Sequence, residues 1–161
     1  MAWNVDREYQ IRRSLNIIFF ILYLLFLFYV ILFKGPSIYR VVAPFEYFSG
    51  TLNPPVYNDY NFVPLRTIRL YFAGSTWTPT NVIVGNVFGN IALFMPFGFL
   101  FPLVFRKKEK FGSVVLAAFL LSCLLEAFQL VFHTGFCDID DVLLNTTGGV
   151  LGYLFYAVIY R

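Results

Sequence analysis

The chain has 161 residues, 59% of them hydrophobic and 13% charged, with a mean hydropathy of +0.71; soluble domains carry roughly a quarter charged residues, so a water-soluble globule is excluded. A net charge of +3 does not mark a nucleic-acid binder here, because the basic residues stand mostly at the ends of apolar runs, where they set orientation and meet lipid headgroups. Cys123 and Cys137 have no CxxC or Cys/His spacing and fit neither a disulfide framework nor the usual zinc and redox patterns.

Residues 1–14 are polar and include Arg7, Arg12 and Arg13, and an uncharged apolar run follows from Leu15 to Phe33. That run is long enough to cross a bilayer. It is longer than the apolar region of a signal peptide and ends in Leu32, Phe33 and Lys34, not in small residues, so a retained first helix is expected. Residues 34–80 form an extracytoplasmic loop rich in Pro, Tyr, Phe, Asn and Thr, broken at Asn53-Pro54-Pro55 and expected to be partly ordered. Within it Pro64 is placed to open a short helix with Leu65, Ile68 and Phe72 on one face and Arg66 and Arg69 on another, a pattern suited to the membrane interface.

A second span is expected over 81–105, kinked or frayed in its later half by Pro96, Gly98 and Pro102. The basic cluster Arg106, Lys107, Lys108 and Lys110 leads to a third span over 111–132, an acidic loop over 133–140 and a fourth span over 141–160. The fold class is therefore an all-α membrane protein, a single domain of about four transmembrane helices in one bundle. Positive charge is concentrated before the first span, between the second and third, and at the end, which places both termini in the cytoplasm.

Polar residues inside the spans gather at the outer halves of the last three helices. Asn86 and Asn90 share a face of the second; Glu126, Gln129 and His133 form one stripe on the third; Asp141 and Asn145 share a face of the fourth. At 1.5 Å per residue Glu126 lies roughly 10 Å below the end of its helix and Asn90 roughly 13 Å below its own. A carboxyl facing lipid at that depth costs a few kcal/mol, so Glu126 should face the bundle, with Asn90, Gln129 and Asn145 as its expected partners. Such amides also serve simply as interhelical glue.

Asp138, Asp140 and Asp141 precede the fourth helix, where one acid would cap it but three close together require protonation, a cation or a basic ligand. Gly148 and Gly152 make a small-xxx-small pair that permits close helix contact. His133 has no catalytic neighbour in sequence and reads as an interface residue. Arg66 and Arg69 suit either lipid headgroups or an anionic ligand. No motif of a nucleophile, zinc protease or P-loop is present; the sequence leaves cofactor and metal open.

Asn61-Phe62-Val63-Pro64-Leu65, the stretch Asn86 to Leu100 with Phe94-Met95-Pro96-Phe97-Gly98, then Glu126-Ala127-Phe128-Gln129 and Asp138-Ile139-Asp140-Asp141-Val142 with Asn145-Thr146 and Gly148-Gly149 resemble the motifs of the VanZ-like family of bacterial membrane proteins, in the same order. The resemblance implies an envelope protein of the cytoplasmic membrane, in a family named for a teicoplanin-resistance protein and linked in some members to reduced glycopeptide susceptibility.

Three readings stay open at this level. The first is a non-catalytic binder or transporter of a lipid-linked envelope component, such as a cell-wall precursor, held by Asn86, Asn90, Gln129, Asn145, Arg66, Arg69 and the acids, with membrane lipid as its surroundings. The second is a membrane enzyme using Glu126 as acid or base, with Asp138, Asp140 and Asp141 holding a divalent cation. The third is a structural scaffold.

Overall fold

The computed structural model describes residues 2–33, 60–72, 80–105, 110–132 and 134–160. The helices are α1 (Ala2–Phe33), α2 (Arg66–Phe72), α3 (Thr80–Phe105), α4 (Phe111–Phe132) and α5 (Ile139–Tyr160), and two short strands, β1 (Tyr60–Asn61) and β2 (Cys137–Asp138), pair in parallel. Four of the helices are long and apolar enough to cross a membrane, and the chain is an integral membrane protein. The basic cluster at 106–109, His133 and most of the 34–80 connection lie outside the described residues.

The spans form where sequence patterning places them, with two differences. Helix α1 begins at Ala2, well before its apolar run, because residues 2–14 contain neither Pro nor Gly and nothing interrupts the ladder. Helix α3 continues through Pro96 and Pro102 to Phe105 without fraying. Each proline removes one donor and crowds one carbonyl, and membrane helices tolerate such interruptions within a packed bundle.

Packing is set by small residues. Helices α3 and α5 run parallel with backbones in direct contact: a Cβ at Gly148 would collide with the carbonyl oxygen of Ile91, one at Gly152 with that of Met95, and one at Gly98 with that of Gly149. Lipid offers no hydrophobic force between helices, so close van der Waals approach of this kind is what drives their association. The glycine pair expected from sequence thus has a definite partner surface. A Cβ at Gly149 would stand 2.7 Å from that of Ala118, which brings α4 against the same helix.

Helix α1 packs on the other side through larger side chains. Phe20, Leu27 and Ile31 are buried with Phe94, Phe97, Ala118 and Leu125, and the Phe20 ring lies 5.8 Å from that of Phe97. Tyr23 donates its hydroxyl hydrogen to the Leu93 carbonyl at 2.7 Å. The opposite face of α1, with Leu22, Leu25 and Phe26, is exposed, as expected of a helix surface solvated by acyl chains. Burial of the spans rises from 17% in α1 to 44% in α5, so α5 is the central element.

Candidate functional site

The polar residues converge where α1 and α4 end and α3 and α5 begin. The organising feature is the segment 60–72. Strand β1 pairs with β2 so that Asn61 stands opposite Asp138, and the chain then turns through Val63 and Pro64 into α2. Leu65, at φ 63°, is in the left-handed region that non-glycine residues rarely occupy. That conformation aims its N–H at Asp140.

Asp138 and Asp140 hold this segment in place. Asp138 Oδ1 accepts from Asn61 Nδ2 at 3.0 Å and from the Asp140 N–H at 2.9 Å, and Asp138 Oδ2 accepts from the Thr67 hydroxyl. Asp140 Oδ1 accepts from the Leu65 N–H and its Oδ2 from the Ile68 N–H at 3.1 Å. The first N–H groups of a helix have no partner within it, and here a carboxylate from another helix supplies one. Asp138 in turn caps α5 through the Asp140 N–H.

Asp141 points elsewhere, accepting from Asn86 Nδ2 of α3 at 3.4 Å. Asn86 also donates to the Tyr71 hydroxyl oxygen at 3.4 Å, which ties the far end of α2 to α3. Six neutral N–H and O–H groups donate to the three carboxyls, and Asp141 turns away from the other two. Among the described residues no three His, Cys, Asp or Glu side chains converge as a metal site.

Glu126 is 5% exposed and accepts the Asp138 N–H on Oε2 at 2.9 Å. Two of its expected partners are bonded elsewhere: Gln129 Nε2 donates to the Ile31 carbonyl at 3.1 Å, and Asn145 Nδ2 donates to Ser122 Oγ at 2.8 Å. The reason is register. Gln129 reaches the end of α1, and Asn145 meets α4 one turn below Glu126. Asn90 is buried on α3 at 3% exposure. Gln129 Oε1 and Asn145 Oδ1 are buried with no protein donor, and such acceptors call for a hydrogen from water or a ligand hydroxyl. Arg66 and Arg69 are exposed on α2.

Burial dominates the electrostatics of the loop. It raises the Asp138 carboxyl above the ordinary aspartate value, against the lowering effect of the hydrogen bonds from Thr67, Asp140 and Asn61. The Cys137 thiol is pushed up to about 11, chiefly by burial and then by the negative charges of Glu126 and Asp138.

Residues 20–160 match the family model described as VanZ/LLP1. The chain belongs to the VanZ/LLP1 family. Protein VanZ of Enterococcus faecium is 30% identical over 141 residues, covering 85% of this chain and 70% of that protein. No solved structure matches the chain. The VanZ/LLP1 match contains the whole polar end, from Asn61 to Asn145, together with the glycine contacts of α5. Asn61, Thr67 and Ser122 are members of this site that the charge and amide pattern alone did not single out. Asn61 stands in the first family motif, which was the available signal for it, whereas Thr67 and Ser122 carried none.

Proposed function

We propose that this VanZ/LLP1 protein is a non-catalytic binder or carrier of a lipid-linked envelope component. In this reading it sits in the bacterial cytoplasmic membrane with both termini in the cytoplasm and its polar end facing outward, where it changes what reaches the cell surface. An effect on susceptibility to teicoplanin-type glycopeptides would follow from that change.

The observation that carries the reading is the engagement of the acids. Both oxygens of Asp138 and both of Asp140 face protein donors, which supports a scaffold role for these groups over a cation cage. What the polar end offers a ligand is of another kind: the acceptor oxygens of Gln129 and Asn145 and the exposed cations of α2. Hydroxyl-bearing and anionic groups on a lipid carrier suit that set.

The test is mass spectrometry of the lipids that accompany the purified protein. A polyprenyl-phosphate or polyprenyl-diphosphate species enriched over bulk lipid is the expected result; a lipid profile identical to that of an unrelated four-span protein would sink the proposal. A second reading, with Glu126 as an acid or base on the same class of lipid, draws on the burial of that carboxyl within a membrane span.

A further inference from the structure

We infer that the segment 60–72 is a headgroup platform on which Arg66 and Arg69 together bind the phosphate of a membrane lipid, with Asp140 and Asp138 as the residues that position them. The inference rests on the lipid-binding reading above and assigns its anionic contact.

Three observations on different groups support it. The first is charge. Arg66 and Arg69 are three residues apart on α2, so their side chains leave neighbouring positions of one helix surface, and both are exposed. Among the described residues neither is paired with a carboxylate. Asp138 and Asp140, the acids that hold this segment, turn their oxygens to amides and hydroxyls. Two guanidinium groups that no carboxylate among the described residues neutralises make a site for an anion, and their planar forks match phosphate oxygens.

The second is position. Asp140 caps α2 from the first turn of α5, and Tyr71 joins its other end to Asn86 in the second turn of α3. The platform is thus fastened at the level where two spans begin, which is the depth of lipid phosphates.

The third is the apolar surround. Phe62, Val63, Leu65 and Phe72 are 60%, 57%, 50% and 83% exposed. A soluble anion has no use for such a margin, whereas the upper acyl chain of a lipid covers it. A seven-residue helix is not stable by itself, so the two arginines keep a common geometry only while Asp138 and Asp140 hold the segment.

The experiment uses the full chain in detergent micelles and native mass spectrometry, with phosphatidic acid as the probe and phosphatidylcholine as the neutral comparison. The wild type should retain phosphatidic acid at least tenfold better than phosphatidylcholine. Arg66→Gln with Arg69→Gln should abolish that preference, and Asp140→Asn, which keeps both arginines, should reduce it several-fold while hydrogen exchange shows the four spans intact. Retention of the full preference in the double arginine variant would overturn the inference. So would displacement of phosphatidic acid by millimolar inorganic phosphate, since that would make the site a reader of free anion. An unchanged preference in Asp140→Asn, with exchange showing α2 released, would overturn the positioning role. If a polyprenyl-linked species accompanies the protein but ignores the arginines, this inference fails alone; if the arginines select phosphatidic acid and no such species is enriched, the broader reading fails alone.

Discussion

Asp140, in the first turn of α5, caps a helix that lies far earlier in the chain: its Oδ2 accepts the Ile68 N–H at 3.1 Å across 72 positions of sequence. With the Leu65 N–H on the other oxygen, one carboxylate joins the 60–72 segment to the bundle. Asp140 is only 1% exposed, so the amides it serves have no easy recourse to water. Asp140→Ala should release 60–72 at a local cost of about 1–3 kcal/mol. Hydrogen exchange should show a ten- to hundredfold loss of protection in that segment with α3 and α5 unchanged. Equal protection in the variant would mean that the segment is held by other contacts.

Asp138 gives the same clamp a pH dependence. Burial raises its carboxyl above the ordinary value of 3.8, so the folded state holds the proton more tightly than the unfolded state. Its contribution is therefore greatest below the ordinary value and falls as pH rises through the raised one. Protection of 60–72, corrected for intrinsic exchange rate, should decline over that interval and then level off. In Asp138→Asn the profile should be flat. A wild-type clamp that tightens with rising pH would contradict the assignment of burial as the larger effect.

Cys137 should be a poor target for thiol reagents. It is 6% exposed and its thiol is pushed up to about 11, so at pH 8 roughly one molecule in a thousand carries the reactive thiolate, over a hundredfold fewer than for an ordinary cysteine. Orientation is better read from Val63→Cys, at a position 57% exposed, in a background where Cys123 and Cys137 are serine. With the polar end outward, an impermeant maleimide labels that cysteine in intact cells. Labelling only after the membrane is opened would invert the topology.

The parallel contact of α3 and α5 leaves no room for a methyl group at Gly152, where a Cβ would strike the Met95 carbonyl. Gly152→Ala should force the helices apart and cost about 1–3 kcal/mol or more. Gly85→Ala is the natural comparison, since nothing lies within 4 Å of a Cβ there and alanine favours the helix. Thermal unfolding in detergent should separate the two clearly. Equal midpoints would mean that α5 is free to shift on α3.

Glu126→Gln distinguishes binding from acid–base chemistry. The Gln carbonyl can still accept the Asp138 N–H that Glu126 Oε2 accepts at 2.9 Å, so the variant should fold and insert. Under the binding proposal its lipid retention stays within about twofold of wild type, a free-energy difference of under about 0.5 kcal/mol. Normal lipid retention combined with a lost envelope phenotype would favour the acid–base reading.

The four spans were legible in the sequence because hydrocarbon requires an uninterrupted apolar helix of about 20 residues, and that requirement is local. The depth of the polar groups followed from residue count along each helix, which put Glu126 and Asn90 at comparable levels before any contact was known. Gly148 and Gly152 announced a close helix contact by their spacing alone. The short helix after Pro64 was also foreseen, although it starts at Arg66, because Leu65 takes a left-handed conformation that no property of a leucine predicts.

Partner choice was decided by the tertiary structure. Sequence placed three acids side by side and left a proton, a cation and a basic ligand open as their partners; the fold brings Asn61, Thr67 and backbone amides to two of them from more than 70 residues away. It placed Gln129 and Asn145 on the same layer as Glu126, but rotation of each helix about its axis sent one to Ile31 and the other to Ser122. Periodicity fixes which face of a helix is polar and how deep it lies. Which donor meets which acceptor depends on the relative rotation and separation of helices far apart in the chain, and here those are set by the glycine contacts of α5 and the two-residue pairing of β1 with β2.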